Sequence, residues 1–357
     1  MTRSVMKNKM IKLGLILILS ALSVVTYNKK ISSKTQPENQ IVLKKPEQKI
    51  NLEEPKTYQI TTKIPEHLSY PQTVEQLQNW KKEAPDLVET GTYGKSKKGT
   101  DLYFIRINKK DNKNKPVVLY TSCIHGNEPL AAGITMAYIG TLLDQYNKNK
   151  ELTEIVNTRD LYFVPVVSPD SYPNTRYVDG VDPNRDFSSP KFPNHESSPS
   201  VTALIDLYWK LRPSAVISGH TFGRLMLTPY GDNYNKTPHE NDYTRIVGKM
   251  AEMCGYKKMP CAELYSRPIS GTEVDWFYRN GSMAVVIEFG THQNKPTFSE
   301  IYKEFKTTKD AITLFIKEAP LVPITVADEE IDFSKNTGIA RSYRKSANGQ
   351  LVPASQY

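Results

Sequence analysis

The sequence is poor in features that define several common protein classes. Only 3 of its 357 residues are cysteines, so at most one disulfide can form within the chain. No cysteine lies directly after the N-terminal apolar run, which argues against a bacterial lipoprotein anchor. That run, Leu13–Val25, is itself shorter than the roughly 20 residues that a membrane-spanning helix requires.

The globular part of the chain also has little net charge. The formal charge is +9, but residues 1–57 hold 11 Lys and Arg against 4 Asp and Glu. The other 300 residues therefore carry only +2, and no basic stripe interleaved with aromatic residues is found there. This excludes nucleic-acid binding as the main function. The 21 Tyr and 11 Phe instead predict one sizeable globular domain with tails.

The N-terminal sequence is typical of an exported protein. Four basic residues precede the run Leu13–Val25, and small residues lie near its end. Residues 1–27 are therefore predicted to be a signal peptide or an uncleaved membrane anchor, and the protein to be periplasmic, at the cell surface or secreted. The Lys-, Gln- and Pro-rich residues 28–57 predict a disordered linker. Residues 58–320 are predicted to form the globular domain, and residues 321–357 a C-terminal extension.

Four apolar runs predict buried strands, and each run ends in polar residues. The runs are Pro116–Thr121, Leu161–Val167, Ala215–Ser218 and Met283–Ile287. In open α/β sheets, ligands bind outside the carboxyl ends of the strands, so polar groups at these ends are expected to converge. The side chains expected to meet there are His125, Glu128, His220 and Glu288.

His125 and Glu128 form an HxxE pair in the turn between a strand and the helix-compatible segment that Pro129 begins. A spacing of three brings both side chains to one side of a tight turn. Imidazole nitrogen and carboxylate oxygen suit Zn²⁺. The pair alone is incomplete, because a zinc site needs a third ligand and a hydrolytic site also needs a general base.

Other segments predict the elements that flank these strands. Val74–Lys82 fits a short amphipathic helix, and the segment after Phe298 has apolar residues at helical spacing. Val88–Tyr93 and Leu102–Ile107 are joined by a Gly- and Lys-rich turn, which predicts a hairpin.

Several ordered motifs between about Tyr58 and Glu318 are shared with a known family. They are HGNE at 125–128, SPDSY at 168–172, NTRYVDGVDPNRDF at 174–187, SGHTFGRLMLTPYG at 218–231, and GTEVDWFY with VVIEFG at 271–290. Together they resemble the zinc carboxypeptidases related to carboxypeptidase A, whose bacterial branch includes murein-peptide carboxypeptidases. The resemblance implies an α/β fold with a single catalytic domain, in which helices flank a twisted mixed β-sheet.

The same resemblance implies a catalytic centre with one Zn²⁺ per chain. His125, Glu128 and His220 would bind the ion and leave a fourth position for water. Glu288 would take a proton from that water as the general base. Arg176 would stabilise the developing oxyanion.

Further matches concern the substrate. Asn184 and Arg185 correspond to the pair that binds the terminal carboxylate, a role that the guanidinium fork suits. Asp182 corresponds to a carboxylate that holds the first zinc histidine in its tautomer. Tyr265 is the nearest match to the family's mobile tyrosine, although it lies about two residues too far upstream for ungapped alignment.

Two neighbouring residues correspond to the specificity pocket of the zinc carboxypeptidases. Val274 aligns with the pocket floor, which argues against a preference for basic C-terminal residues. Glu273 is predicted to meet an ammonium group of the substrate.

The resemblance therefore implies a zinc metallocarboxypeptidase that hydrolyses a C-terminal amide bond through a Zn-activated water, with diaminopimelate-containing cell-wall peptides as a narrower class. The partner is a peptide or muropeptide substrate, and the N-terminus is a candidate membrane tether. Two alternatives stand beside this function: a zinc deacylase of N-acyl amino acids, and a non-catalytic wall-binding protein. The sequence leaves open the oligomeric state and whether Cys254 and Cys261 are bridged.

Overall fold

The computed structural model describes residues 56–60, 67–111, 114–265, 267–292, 295–326, 343–345 and 351–353. The predictions for residues 1–27, for nearly all of the linker and for most of the C-terminal extension lie outside these ranges and stay predictions. Within the described ranges, no helix combines the length and the apolar character needed to cross a membrane.

The described part of the chain contains both helices and strands. The helices are α1 (Tyr70–Glu83), α2 (Pro129–Gln145), α3 (Lys150–Thr158), α4 (Pro199–Leu211), α5 (Glu240–Cys254), α6 (Cys261–Leu264), α7 (Glu273–Arg279) and α8 (Phe298–Glu318), with a 3₁₀ turn at Pro183–Arg185. The strands are β1 (Val88–Lys95), β2 (Asp101–Ile107), β3 (Val117–Ser122), β4 (Asp160–Val164), β5 (Ala215–Thr221), β6 (Leu225–Thr228), β7 (Lys257–Pro260), β8 (Met283–Phe289), β9 (Tyr343–Lys345) and β10 (Leu351–Pro353).

One mixed sheet of eight strands organises the domain, in the order β1-β2-β4-β3-β5-β8-β6-β7. The central strands β4, β3, β5 and β8 are parallel to one another, whereas β1 and β2 pair antiparallel with their neighbours. Strand β6 is antiparallel to β8 and parallel to β7. The predicted fold, a mixed sheet flanked by helices, is confirmed. Its parallel centre brings the carboxyl ends of β3, β5 and β8 together at one edge.

Burial explains why the central strands are continuous apolar runs. Every residue of β5 and β8 is buried, because helices cover the sheet on both faces. Helix α2 is apolar on nearly all sides and packs between β5 and α8. A strand or helix without a polar face is stable only in such an interior position.

The observed elements agree with most of the predicted ones. The hairpin β1–β2, the helix α1 and the last helix α8 are all present. The predicted strand Leu161–Val167 was wrong in extent, since β4 ends at Val164. Pro165 follows, and proline has no N–H to continue the ladder.

Candidate metal centre

The turn after β3 is built for close packing. Gly126 lies against the Ser171 backbone, where an added Cβ would come within 2.4 Å of the carbonyl carbon. Only glycine fits this approach without displacing the turn. Pro129 then begins α2 at a position where a missing N–H has no cost, with Glu128 as the N-cap. The turn thus fixes the backbone on both sides of the HxxE pair.

The structure brings His125, Glu128 and His220 together. Nδ1 of His125 lies 2.8 Å from Oε1 of Glu128, and Nδ1 of His220 lies 3.1 Å from Oε2 of the same carboxylate. All three side chains are at most 3% exposed. The candidate ligand atoms lie within 4.8 Å of one another, so a single ion can contact all of them.

The chemistry of this cluster fits a zinc ion. Two imidazoles and one carboxylate are the donor set of many hydrolytic zinc sites, which keep a fourth position for water. Oε2 of Glu128 is buried and has no hydrogen-bond partner among the described residues. A buried carboxylate oxygen without a hydrogen bond is costly unless a cation satisfies it. Among the described residues, no other group of His, Cys, Asp and Glu could hold a metal in this way.

Electrostatics in the cluster favour a negatively charged Glu128. Burial alone raises its pKa, but His220 and His125 outweigh that effect and lower the pKa to about 2. For His220, burial and the neighbouring charges each shift the pKa in the direction opposite to that for Glu128. Burial lowers its pKa, yet Glu128 and Glu273 hold it well above the usual range. A cation therefore stabilises the site, whether it is a proton or a metal.

Carboxylates also hold the outer nitrogens of both histidines. Oδ1 of Asp182 lies 3.1 Å from Nε2 of His125, and Oε1 of Glu273 lies 2.6 Å from Nε2 of His220. A carboxylate only accepts hydrogen bonds, so each Nε2 carries a hydrogen, and each Nδ1 is left as the nitrogen that would bind an ion beside Glu128.

Arg176 contacts both Asp182 and His125. Its Nε and Nη2 donate to Oδ2 of Asp182 at 3.0 and 2.9 Å. Its Nη1 lies 3.3 Å from Nδ1 of His125, next to the candidate ligand atoms. The guanidinium is thus placed where it can donate to an oxygen bound beside the metal.

The 3₁₀ turn Pro183–Arg185 positions the predicted carboxylate-binding pair. Oδ1 of Asp182 accepts the backbone N–H of Asn184, while Oδ1 of Asn184 accepts the backbone N–H of Glu273. Gly271, at φ +78°, lies so close that an added Cβ would be 2.5 Å from the Arg185 carbonyl oxygen. The turn is therefore clamped between the metal site and the N-terminus of α7.

Glu288 lies near the end of β8, and its Cα pairs with that of His220 in the neighbouring strand β5. Paired residues of neighbouring strands project to the same face, so both side chains point into one crevice. Burial, together with the charge of Glu128, raises the pKa of Glu288 to about 7, although His220, His125 and Arg176 oppose this rise. Such a carboxyl group can accept and return a proton near neutral pH.

The remaining predicted residues lie close to these groups. Tyr265 is half-buried, and its ring centroid is 5.3 Å from the Arg185 guanidinium carbon. Val274 is buried in α7. Their predicted roles toward substrate stay predictions. The disulfide that the sequence left open is not formed, because Cys254 and Cys261 are free thiols.

Sequence reasoning missed the contact of Glu273 with His220. Glu273 was predicted to meet a substrate ammonium, yet its side chain is 1% exposed and contacts the outer nitrogen of a metal-facing histidine. The two residues are 53 positions apart. Neither spacing nor periodicity signals such a contact, which arises only when α7 packs beside the end of β5.

Comparisons with known proteins extend the geometric result. A family model described as "Zinc carboxypeptidase" matches residues 73–311. The chain is 24% identical to a "Zinc carboxypeptidase" of Saccharothrix mutabilis subsp. capreolus, across 71% of this chain and 70% of that protein. It is 23% identical to "Carboxypeptidase A4" of Mus musculus, across 55% of this chain and 56% of that protein. The chain thus spans little more than half of the mouse relative.

Two solved structures resemble the fold. Thrombin activatable fibrinolysis inhibitor has a TM-score of 0.65 at 19% identity, covering 71% of this chain and 74% of that one. Carboxypeptidase A from Helicoverpa armigera has a TM-score of 0.62 at 21% identity, covering 70% of this chain and 73% of that one. At these identities the likeness shows the shared fold alone.

Proposed function

Because this chain belongs to the zinc carboxypeptidase family, we propose that it hydrolyses the C-terminal amide bond of peptides and releases the last residue. The resemblance that the sequence motifs indicated is confirmed at the level of the family. The observation that carries the proposal is the clamped segment from Asp182 to Arg185. It hydrogen-bonds a metal-facing histidine at one end and carries a guanidinium at the other.

The residues of the metal centre have different roles in the proposed hydrolysis. Zinc is the metal of this family, which confirms the predicted cofactor. When bound, it supplies a Lewis acid that lowers the pKa of a coordinated water towards about 7. Glu288 accepts a proton from the attacking water and returns it to the leaving amine nitrogen. Arg176 donates to the carbonyl oxygen as that oxygen becomes negatively charged.

The substrate class follows from the group that Asn184 and Arg185 recognise. A guanidinium and an amide on adjacent residues can together bind a carboxylate, which every free peptide C-terminus supplies. Cell-wall peptides that end in diaminopimelate form the narrower class within this proposal. Export of the protein, by a signal peptide or with a membrane tether, is proposed from the N-terminal sequence and would bring it to such peptides.

Mass spectrometry of reaction products tests the proposal. The purified, zinc-loaded chain is incubated with unmodified peptides, amidated peptides, muropeptides and N-acyl amino acids. We expect products shortened by one C-terminal residue, from unmodified chains only. Cleavage of the N-acyl amino acids alone would identify a deacylase. Absence of any product from a zinc-loaded protein would favour a wall-binding role.

Replacement of Arg185 by alanine should weaken turnover of substrates with a free C-terminus. A hydrogen bond to a charged group contributes about 1.5–3 kcal/mol, so kcat/KM should fall roughly 10- to 100-fold. Amidated substrates, which are poor for the wild-type protein, should lose almost nothing further. Steady-state kinetics on matched free and amidated dipeptides measures this difference.

Arg245→Ala serves as the matched control, because Arg245 lies on α5 and forms only exposed ion pairs among its described contacts. It should retain wild-type kinetics. An equal loss on free and amidated substrates for Arg185→Ala would contradict the assigned role of Arg185.

A further inference from the structure

Glu273 lies where a residue can act on the metal and on the substrate pair at once. It begins α7, and its side chain is 1% exposed. Oε1 of this carboxylate is 2.6 Å from Nε2 of His220, a short distance that is typical of a charge-assisted hydrogen bond. The contact is on the side of the imidazole that faces away from the candidate ligand atoms.

The contact fixes the tautomer of His220. Because the carboxylate can only accept, a hydrogen of the imidazole is held on Nε2, which leaves Nδ1 as the nitrogen that would bind an ion beside Glu128. The same hydrogen bond sets the rotation of the ring about its Cβ–Cγ bond. It also makes the imidazole a stronger donor toward a metal.

Glu273 and Asp182 differ in how many groups share their charge. Asp182 accepts hydrogen bonds from Arg176 and from the backbone of Asn184, as well as contacting His125. Oε2 of Glu273, in contrast, is buried and has no hydrogen-bond partner among the described residues. Among the described residues, the carboxylate of Glu273 therefore hydrogen-bonds His220 alone. We expect its effect on the metal affinity of His220 to be at least as large as the effect of Asp182 on His125.

The backbone of Glu273 makes a second contact with the site. Its N–H donates to Oδ1 of Asn184 at 2.8 Å, and this bond orients the amide of Asn184. The first turn of α7 thus joins a metal ligand, through a side chain, to a substrate-binding residue, through the main chain. Thr272 stabilises this turn, because its hydroxyl caps α7 by accepting from the N–H of Asp275.

We propose that Glu273 is a positioning residue for the metal centre: its carboxylate orients His220 toward the ion, while its N–H orients Asn184 toward the substrate carboxylate. The part that concerns Asn184 rests on the proposed function. The part that concerns His220 rests on the metal site alone. Glu273 therefore acts through two other residues and does not itself contact the ion.

Zinc affinity of side-chain variants tests the proposal without any substrate. Glu273→Ala removes the acceptor, and Glu273→Gln keeps the shape but not the charge; both retain the backbone N–H. Loss of an outer partner of a metal-ligating histidine typically weakens metal binding by about 10- to 100-fold. We expect a loss in that range for Glu273→Ala and about a tenfold loss for Glu273→Gln, measured by competition with a chromogenic zinc chelator.

The visible spectrum of the Co²⁺-substituted protein gives a second readout. A reoriented His220 changes the ligand field, so the absorption bands of both variants should shift. Phe277→Leu is the control, because Phe277 is buried in the same helix and its truncation loosens the packing of α7 without touching His220. This variant should lose thermal stability but keep the zinc affinity and the cobalt spectrum.

The outcomes separate the proposal from its rivals. Wild-type zinc affinity and an unchanged cobalt spectrum in both Glu273 variants would overturn it. If those variants instead raise KM only for substrates that carry an ammonium group, Glu273 belongs to the pocket, as the sequence predicted. Zinc loss in variants of a protein that trims no peptide would uphold the role of Glu273 while rejecting the proposed function.

Discussion

Glu288→Gln should retain zinc and lose nearly all turnover. Glutamine has the same size and fits the same buried site at the end of β8, but it cannot accept a proton. General acid–base catalysis by one group contributes about 10²- to 10⁴-fold. Glu288 serves as base and then as acid, so kcat should fall by about 10⁴-fold, the upper end of this range, with little change in KM. Kinetics on a blocked dipeptide and metal analysis of the same sample measure both quantities.

The control for this variant is Glu252→Gln, the same chemical change at an exposed position on α5. It should have wild-type activity and zinc content. If Glu288→Gln keeps more than about a tenth of the wild-type kcat, another group moves the proton. If activity disappears together with the zinc, Glu288 contributes to metal binding and is not simply the base.

The central strands could be predicted from the sequence because burial on both faces leaves a continuous apolar run. Strands β3, β5 and β8 were located in this way, and their carboxyl ends predicted where the site lies. Polar groups at those ends are conspicuous, since each interrupts an otherwise apolar pattern. The prediction that His220 and Glu288 share one crevice therefore needed no knowledge of the strand order.

The short strands at the far edge of the sheet could not be predicted. Strands β6 and β7 have four residues each, which is too short for a periodic pattern. Strand β7 is also rich in lysine and only partly buried, as is typical of an edge strand. The pairing of β6 with β8, and of β7 with β6, joins segments that are far apart in the chain, and the pattern of residue types within a segment does not indicate such pairing.

The site was predicted unevenly for the same reason. The HxxE pair is local, so its spacing could indicate a metal. The strand-end pattern placed His220 nearby, while its role as the third ligand and the roles of the substrate-binding pair required the family resemblance. Glu273 illustrates the limit. Its type and position indicated a charged group near the pocket, but the direction of its side chain depends on how α7 packs against β5. The position of the first turn of α7 determines whether the Glu273 side chain contacts the substrate or His220.

Removal of the metal should abolish activity and lower thermal stability together. The centre places three ligand side chains in a buried cluster, with Oε2 of Glu128 lacking a hydrogen bond among the described residues. Dialysis against a zinc chelator should reduce turnover below detection, and one equivalent of Zn²⁺ should restore it. Zinc at about 1,000 times its Kd contributes about 4 kcal/mol to the folded state, which corresponds to a rise in Tm of roughly 10 °C. Calorimetry with and without zinc measures that shift.

His220→Ala should behave like the zinc-free protein even when zinc is present. Removal of one of the two imidazoles leaves too few ligands to bind the ion tightly. Added zinc should then change neither turnover nor Tm. His239→Ala is the matched control, since His239 is hydrogen-bonded to Tyr278 and is not part of the cluster. It should keep the full response to zinc. A His220→Ala protein that still gains about 10 °C from zinc would show that the ion binds elsewhere, and the hydrolytic centre would have to be sought there.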